Sequence, residues 1–303
     1  MLFEVSLSTM WAKGRFSHMA GFTAKLRELG FTHVEPNTLV SPRMLNELLK
    51  TTVPISSIHS PCPAVLSSQG IPVSSLSLSS LNASERVEAV SFTKKTIDLA
   101  ANVSARAIVL HMGEVPINPS LQDRLYKLHD GGYTETEEYG QTKERLVHQR
   151  LSLAHSHVDA AKKSLQELSK YGRQKGIMLG LETRFHFNEI PNMDEMTELL
   201  DEVSENLAGY WHDAGHAEVQ QQLGFSCHEE WLSRFRDRMI GIHLHDIRGI
   251  CDHHAPGEGN MNWEMIAKYL PRGIVKVCEI GEWNDEGQMQ GAVKFLQKKG
   301  ILG

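Results

Sequence analysis

Seven side chains of metal-ligand type stand at the ends of short apolar runs: His59 in SSIHSP, His111 in AIVLHMG, Glu182 in LGLET, Asp213 and His216 in WHDAGHA, His243 in GIHLHD, and Glu279 in VCEI. Imidazole nitrogen and carboxylate oxygen together suit a divalent cation of the Zn, Mn, Fe, Co or Mg group. The four cysteines, Cys62, Cys227, Cys251 and Cys278, form no CxxC pair, which argues against a structural zinc cluster and for reduced thiols. Taken singly, His59 or His111 reads as a hydrogen-bonded core residue. Their joint occurrence points to metal. Glu182 and Glu279 follow apolar residues, where a carboxylate is costly to bury without a cation or a donor.

Only a fold that returns every strand to one edge gathers residues spread over more than 200 positions. The sequence supplies eight strand candidates: residues 3–8, 32–35, 55–59, 107–111, 178–182, 209–213, 240–245 and 274–280. Between them lie segments of helical period at 85–101, 143–176, 195–207, 228–238, 262–270 and 287–299. Gly30 and Gly176 lead into strands as helix C-caps. Eight alternating units predict one (β/α)8 TIM barrel over residues 1–303, with its site at the C-terminal ends of the strands. About 30 residues, 112–142, separate the fourth strand from the next helix, long for such a connection. We read them as a lid.

The composition, 41% hydrophobic and 22% charged, is that of an ordinary globular protein. The opening MLFEVSLSTMW reads as a strand, without the charged region and apolar stretch of a leader, which predicts a cytoplasmic protein with no membrane partner. A net charge of −6 offers no long-range attraction to a polyanion such as DNA. The sequence leaves homo-oligomerisation open. Lys13 and Arg15 follow the first strand, and with Arg184 they have the charge pattern to bind one phosphate.

From the first strand to the last, the chain resembles the xylose isomerase-like barrels, a superfamily that includes sugar epimerases and the endonuclease IV group. The resemblance rests on Glu-Thr after the fifth strand, Asp-x-x-His after the sixth, His-x-x-Asp at the seventh, the tract HHAPGEGN from His253 to Asn260, and the closing Glu279. For the epimerase branch it implies one metal held by Glu182, Asp213, His243 and Glu279. Glu182 and Glu279 would be acid and base around a metal-stabilised enediolate, with His216 and Arg248 orienting hydroxyl groups.

For the endonuclease IV branch the resemblance implies three zinc ions and nine ligands. Eight positions match in type: His59, His111, Glu182, Asp213, His216, His243, His253 and Glu279. The ninth, an Asp in that group, is Cys251 here, with Asp252 one place along as a substitute or the thiolate itself as ligand. Cys62 stands where that group has tyrosine, and the 112–142 segment is acidic, both against a DNA substrate. The favoured expectation is thus a metal-dependent isomerase or epimerase of a small sugar, sugar phosphate or polyol. The first rival is a zinc phosphodiesterase with up to three metals, and the second a non-catalytic barrel that binds metal or ligand.

Overall fold

The computed structural model describes residues 3–303. Eight parallel strands form its centre: β1 (Ser6–Ser8), β2 (His33–Glu35), β3 (Ser57–His59), β4 (Ala107–Leu110), β5 (Met178–Glu182), β6 (Ala208–Asp213), β7 (Met239–Leu244) and, last in the chain, β10 (Val275–Cys278). They pair in the order β2-β1-β10-β7-β6-β5-β4-β3, and a parallel bridge between Val34 and Ile55 brings the two ends of the sheet together. The ring is a nearly closed TIM barrel. Each strand lies within its expected range or one residue outside it; Phe3–Val5 and Ile274 fall outside the ladder.

The strands read as continuous apolar runs because both faces are covered, one by helices and one by the barrel interior. Trp211 of β6 fills that interior with Ala107, Val109, Val275 and Val277. Gly180 on β5 and Gly241 on β7 make room for its ring: a Cβ at either position would overlap the indole. The glycines are therefore packing requirements of one tryptophan.

Helices α1 (Met19–Glu28), α2 (Pro42–Leu48) and α3 (Ala83–Asn102) follow the first three strands. The segment 112–142 departs from the expected open loop. Pro119–Asp130 form a helix, α4, started by Asn118 capping Ser120 and by a proline in the first turn. The helix expected from residue 143 begins at Glu137 and runs to Lys175 as α5, because the Thr136 hydroxyl accepts from Tyr139 N and two glutamates occupy the first turn. Gly176, at φ 71°, ends it and turns into β5.

The remaining helices are α6 (Met193–Asp201), α7 (Ala214–Gln222), α8 (His228–Phe235), α9 (Trp263–Tyr269) and α10 (Glu286–Lys298). After β7 the chain adds a small antiparallel hairpin, β8 (Asp246–Arg248) and β9 (Cys251–His254). No helix among the described residues is long and apolar enough to cross a membrane.

Candidate metal centre

Glu182 ends β5, Asp213 ends β6, His243 lies near the end of β7, and Glu279 follows β10. Strand alternation and register bring all four to the mouth, with Asp213 directly opposite His243. One donor atom from each lies within 4.8 Å of the others. His243 Nδ1 is 2.7 Å from Glu182 Oε1, 3.0 Å from Glu279 Oε2 and 3.3 Å from Asp213 Oδ2.

Despite that proximity, Glu182 Oε1, Asp213 Oδ2 and His243 Nδ1 have no hydrogen-bond partner of acceptable geometry, and all are buried. Orphaned polar atoms this deep are costly. Converged on one point, they fit a divalent cation of the oxygen- and nitrogen-loving kind. Burial opposes charge on His243, but Glu279, Glu35, Asp213 and Glu182 more than offset it and hold its pKa well above the ordinary value. The cluster selects for positive charge at its centre.

The atoms behind these donors fix their orientation. His243 Nε2 donates to Glu35 Oε1 at 3.0 Å, and the Ser57 hydroxyl donates to Glu35 Oε2 at 2.5 Å, which leaves Nδ1 free to face the cluster. Asp213 caps α7: its Oδ1 accepts from His216 N at 2.7 Å and from His245 Nε2 at 2.9 Å, turning Oδ2 inward. His245 Nδ1 in turn accepts from His253 N. Both nitrogens of His245 are thus engaged, and of the two only His243 keeps a nitrogen, Nδ1, facing the centre. Glu35 was not among the expected site residues, although it too ends a strand.

Besides Glu35, His59, His243 and Glu279, a group that shares two residues with the centre, two further donor groups flank it. His59, His111 and Glu182 form the first. His111 Nε2 lies 2.9 Å from Glu182 Oε2 and 2.6 Å from His59 Nε2. Arg184 Nη1 also donates to Glu182 Oε2, so a guanidinium already supplies the cation there. Burial, with Arg184 and His59, holds the His111 pKa down to about 4.

The second group joins His216, His245 and His253. His216 Nδ1 donates to Thr183 O at 2.9 Å, which aims Nε2 at Asp252 Oδ2, 3.5 Å away. Asp252 Oδ1 lies 2.9 Å from His253 Nδ1. Burial is outweighed by Asp213, Asp252 and Glu182, raising the His216 pKa to about 9. His253 holds a left-handed backbone, φ 56°, fixed by bonds from Gly281 N and Asn284 Nδ2 to its carbonyl. Such strain in a non-glycine residue persists where the surroundings impose it.

The profile of the xylose isomerase-like TIM barrel family matches residues 23–299. The chain belongs to this family. Among curated proteins it is 24% identical over 187 residues to the uncharacterized protein y4fM of Sinorhizobium fredii, covering 61% of this chain and half the length of that relative. Solved structures similar in fold include a D-tagatose 3-epimerase-like protein, TM-score 0.68 at 19% identity, covering 98% of this chain and 96% of that one. The 3-keto-D-glucoside 4-epimerase YcjR of E. coli aligns with TM-score 0.65 at 13% identity over 98% and 99%. D-psicose 3-epimerase of Clostridium cellulolyticum H10, solved with D-tagatose, aligns with TM-score 0.67 at 14% identity over 98% and 99%.

At this xylose isomerase-like mouth, four expected substrate-binding residues are engaged by groups of the protein itself. Lys13 pairs with Glu282, and Arg15 stacks on Trp11 and donates to the carbonyls of Glu282 and Asn284. Arg184 is buried between Glu182 and Glu189. β1 and β5 lie four strands apart in the eight-stranded ring, and each of the three cations already has protein partners on its own side. Arg248 is exposed and turned to Glu258, away from the donor cluster. Cys251 is exposed, its thiol pushed up by partial desolvation and by Asp252, whereas Asp252 reaches His216 and His253. The carboxylate one place along takes the position considered for the thiol.

Proposed function

We propose that the chain is a divalent-metal-dependent isomerase or epimerase of a small sugar or polyol. The observation that carries this reading is the convergence of three unpartnered buried atoms, on Glu182, Asp213 and His243, beside Glu279. A bound divalent cation would polarise the substrate's oxygens and make a neighbouring C–H proton removable near neutral pH. Two carboxylates are then available to move that proton. Glu279 Oε1 has His59 Nδ1 as its near neighbour, 3.7 Å away, beyond a hydrogen bond, and is the freer base. Glu182 Oε2 is held by Arg184 and His111, which weakens it as a base and suits it to return a proton on the other face.

Protonated His216 would donate from Nε2 to a substrate hydroxyl. The α4 excursion reaches the mouth through Tyr126 Oη and Gln122 Nε2, both within 3.0 Å of His186 Nδ1. Its position suits a cover. Similarity in fold to sugar epimerases supports the same substrate class.

A second reading, a zinc phosphodiesterase, is favoured by the assembly of His59 with His111 and of His216 with Asp252 and His253 around the central cluster. Arg184 on Glu182 counts against it, because two cations would compete for one carboxylate oxygen. Solvent-deuterium exchange into a panel of ketoses separates the two. Incorporation at carbon supports the isomerase; no exchange together with cleavage of an abasic-site duplex would remove it.

A further inference from the structure

Arg150 lies on the buried stripe of α5, with Leu146 and Ala154 one turn to either side, where an apolar residue would suit the packing. Its side chain is fully buried, and its partners lie in the stretch that joins β5 to α6. Nη1 and Nη2 donate to the two Glu195 oxygens at 2.7 Å each, and Nη2 also donates to the Glu189 carbonyl at 2.9 Å. The guanidinium stands 5.4 Å over the Phe187 ring, and its Nε has no partner.

A buried ion pair of this kind adds little net stability, because desolvation offsets the attraction and apolar side chains of similar size often serve as well. What a two-pronged guanidinium supplies is direction: it fixes the first turn of α6 and the backbone at Glu189 relative to α5. The bonds from Val115 N to Asn188 O and from Ile190 N to Gly113 O hold the same stretch from the β4 side. Glu189 carries the placement inward. Its Oε1 accepts from Arg184 Nε at 3.1 Å and from Nη2 at 2.6 Å, and its Oε2 accepts from His186 N at 2.8 Å. Arg184 Nη1 in turn donates to Glu182 Oε2. Opposite charges thus alternate from the helix layer to the centre, through Glu195, Arg150, Glu189, Arg184 and Glu182.

We infer that Arg150 is a positioning residue for the centre: by fixing Glu189 it keeps the Arg184 guanidinium on one oxygen of Glu182 and leaves the other, Oε1, to the donor cluster. The effect on turnover rests on the isomerase reading, in which Glu182 moves a proton. The placement of Arg184 does not.

The test uses the full-length chain in two forms. In the metal-free, isotopically labelled chain, the Arg184 Nε–H resonance, assigned by its absence from Arg184→Met, reports the guanidinium directly. Arg150→Lys offers one ammonium, which cannot serve both Glu195 and the Glu189 carbonyl, so that resonance should shift and exchange with water at least about tenfold faster. In the metal-loaded chain, deuterium uptake is followed with whichever of D-fructose, D-psicose, D-tagatose and L-ribulose exchanges fastest. Here kcat should fall about 10- to 100-fold, with KM within about twofold of the parent and metal per chain unchanged. Because Arg150 acts through Arg184, the same change in an Arg184→Met background should lower kcat no further. Arg150→Met combined with Glu195→Gln, which removes both charges and keeps an oxygen for Asn192 N, carries the same expectations should Arg150→Lys not fold. An unchanged Arg184 resonance in a folded variant, unchanged kcat where the parent exchanges, or losses that add in the Arg184→Met background overturn the inference. A displaced Arg184 resonance in a chain whose parent exchanges no ketose upholds the placement and sinks the isomerase reading alone.

Discussion

His243 donates its Nε2 hydrogen to Glu35 across 3.0 Å, and that bond decides which nitrogen faces Glu182, Asp213 and Glu279. Replacing Glu35 by Leu leaves the ring free to turn and its tautomer unassigned. Metal affinity should fall about 10- to 100-fold, the usual effect of losing such a supporting carboxylate. Competition with a chromophoric chelator measures it, with circular dichroism as the check on folding. Unchanged affinity would mean that packing against Trp211 alone orients the imidazole.

Glu182→Gln and Glu279→Gln should each lower turnover by about 10²- to 10⁴-fold while preserving the fold. Their partial reactions should differ. Glu279 has the freer oxygen, so its loss should suppress deuterium uptake from the natural substrate more than the loss of Glu182 does. Full activity in either variant would take that residue out of the mechanism.

Protein purified without chelator should carry close to one divalent cation per chain. Arg184 occupies the Glu182 oxygen that a second cation at His59 and His111 would require. Chelation should lower the melting temperature by several degrees, since a cation at 100 times its Kd contributes about 2.7 kcal/mol. Three tightly held zinc ions would instead favour the phosphodiesterase reading.

Glu189 predicts an acid limb of stability. Burial alone would raise its pKa, but Arg184, His111 and His186 bring it down from 4.5 to about 2. Because the folded value lies below the unfolded one, the contribution is fully present above pH 4.5 and is lost as pH falls through 4.5 toward 2. The shift corresponds to about 3 kcal/mol. Urea unfolding at pH 6 and pH 3 should show this loss in the parent chain and a smaller one in Glu189→Gln; equal losses would place the sensitive carboxylate elsewhere.

Gly241→Ala should destabilise the barrel by about 1–3 kcal/mol, because the added methyl overlaps the Trp211 ring in a filled interior. The shift in urea midpoint reads this directly. Relief of the loss by Trp211→Phe in the same chain would show that the indole is the obstacle.

Most of the barrel is legible in the sequence because parallel strands buried on both faces keep apolar runs such as AIVL and MLGL, and because a polar ligand at the end of such a run stands out. Glu35 carries the same signal at the end of the expected strand 32–35, but its part in orienting His243 is visible only once β2 and β7 face each other across the barrel. The segment 112–142 looked open because its acidic stretch obscured NPSLQDRLYKL, where an asparagine cap, a proline and leucines at 121, 125 and 128 announce a helix. The partners of Lys13, Arg15 and Arg184, which are Glu282, two backbone carbonyls, Glu182 and Glu189, are not readable in the sequence. Charge type is visible in a sequence, but the angular distance between the first and fifth strands of a ring is not.

Asp246 is buried, and its two oxygens accept from Ile247 N, Gly257 N, Met261 N and Trp263 Nε1, all at 2.9–3.0 Å. Gly259 passes so close that a Cβ there would strike Ile247 O and the same carboxylate. The stretch from Ile247 to Trp263, which carries Asp252 and His253, is thereby riveted to the end of β7. Swinging it outward would strand four donors and a carboxylate at once. α4 leans on this same fixed stretch: Tyr126 packs with Phe185 and Phe225 against Val219, Leu223 and Ile250, so the excursion after β4 and the segment after β7 make one continuous wall of the mouth.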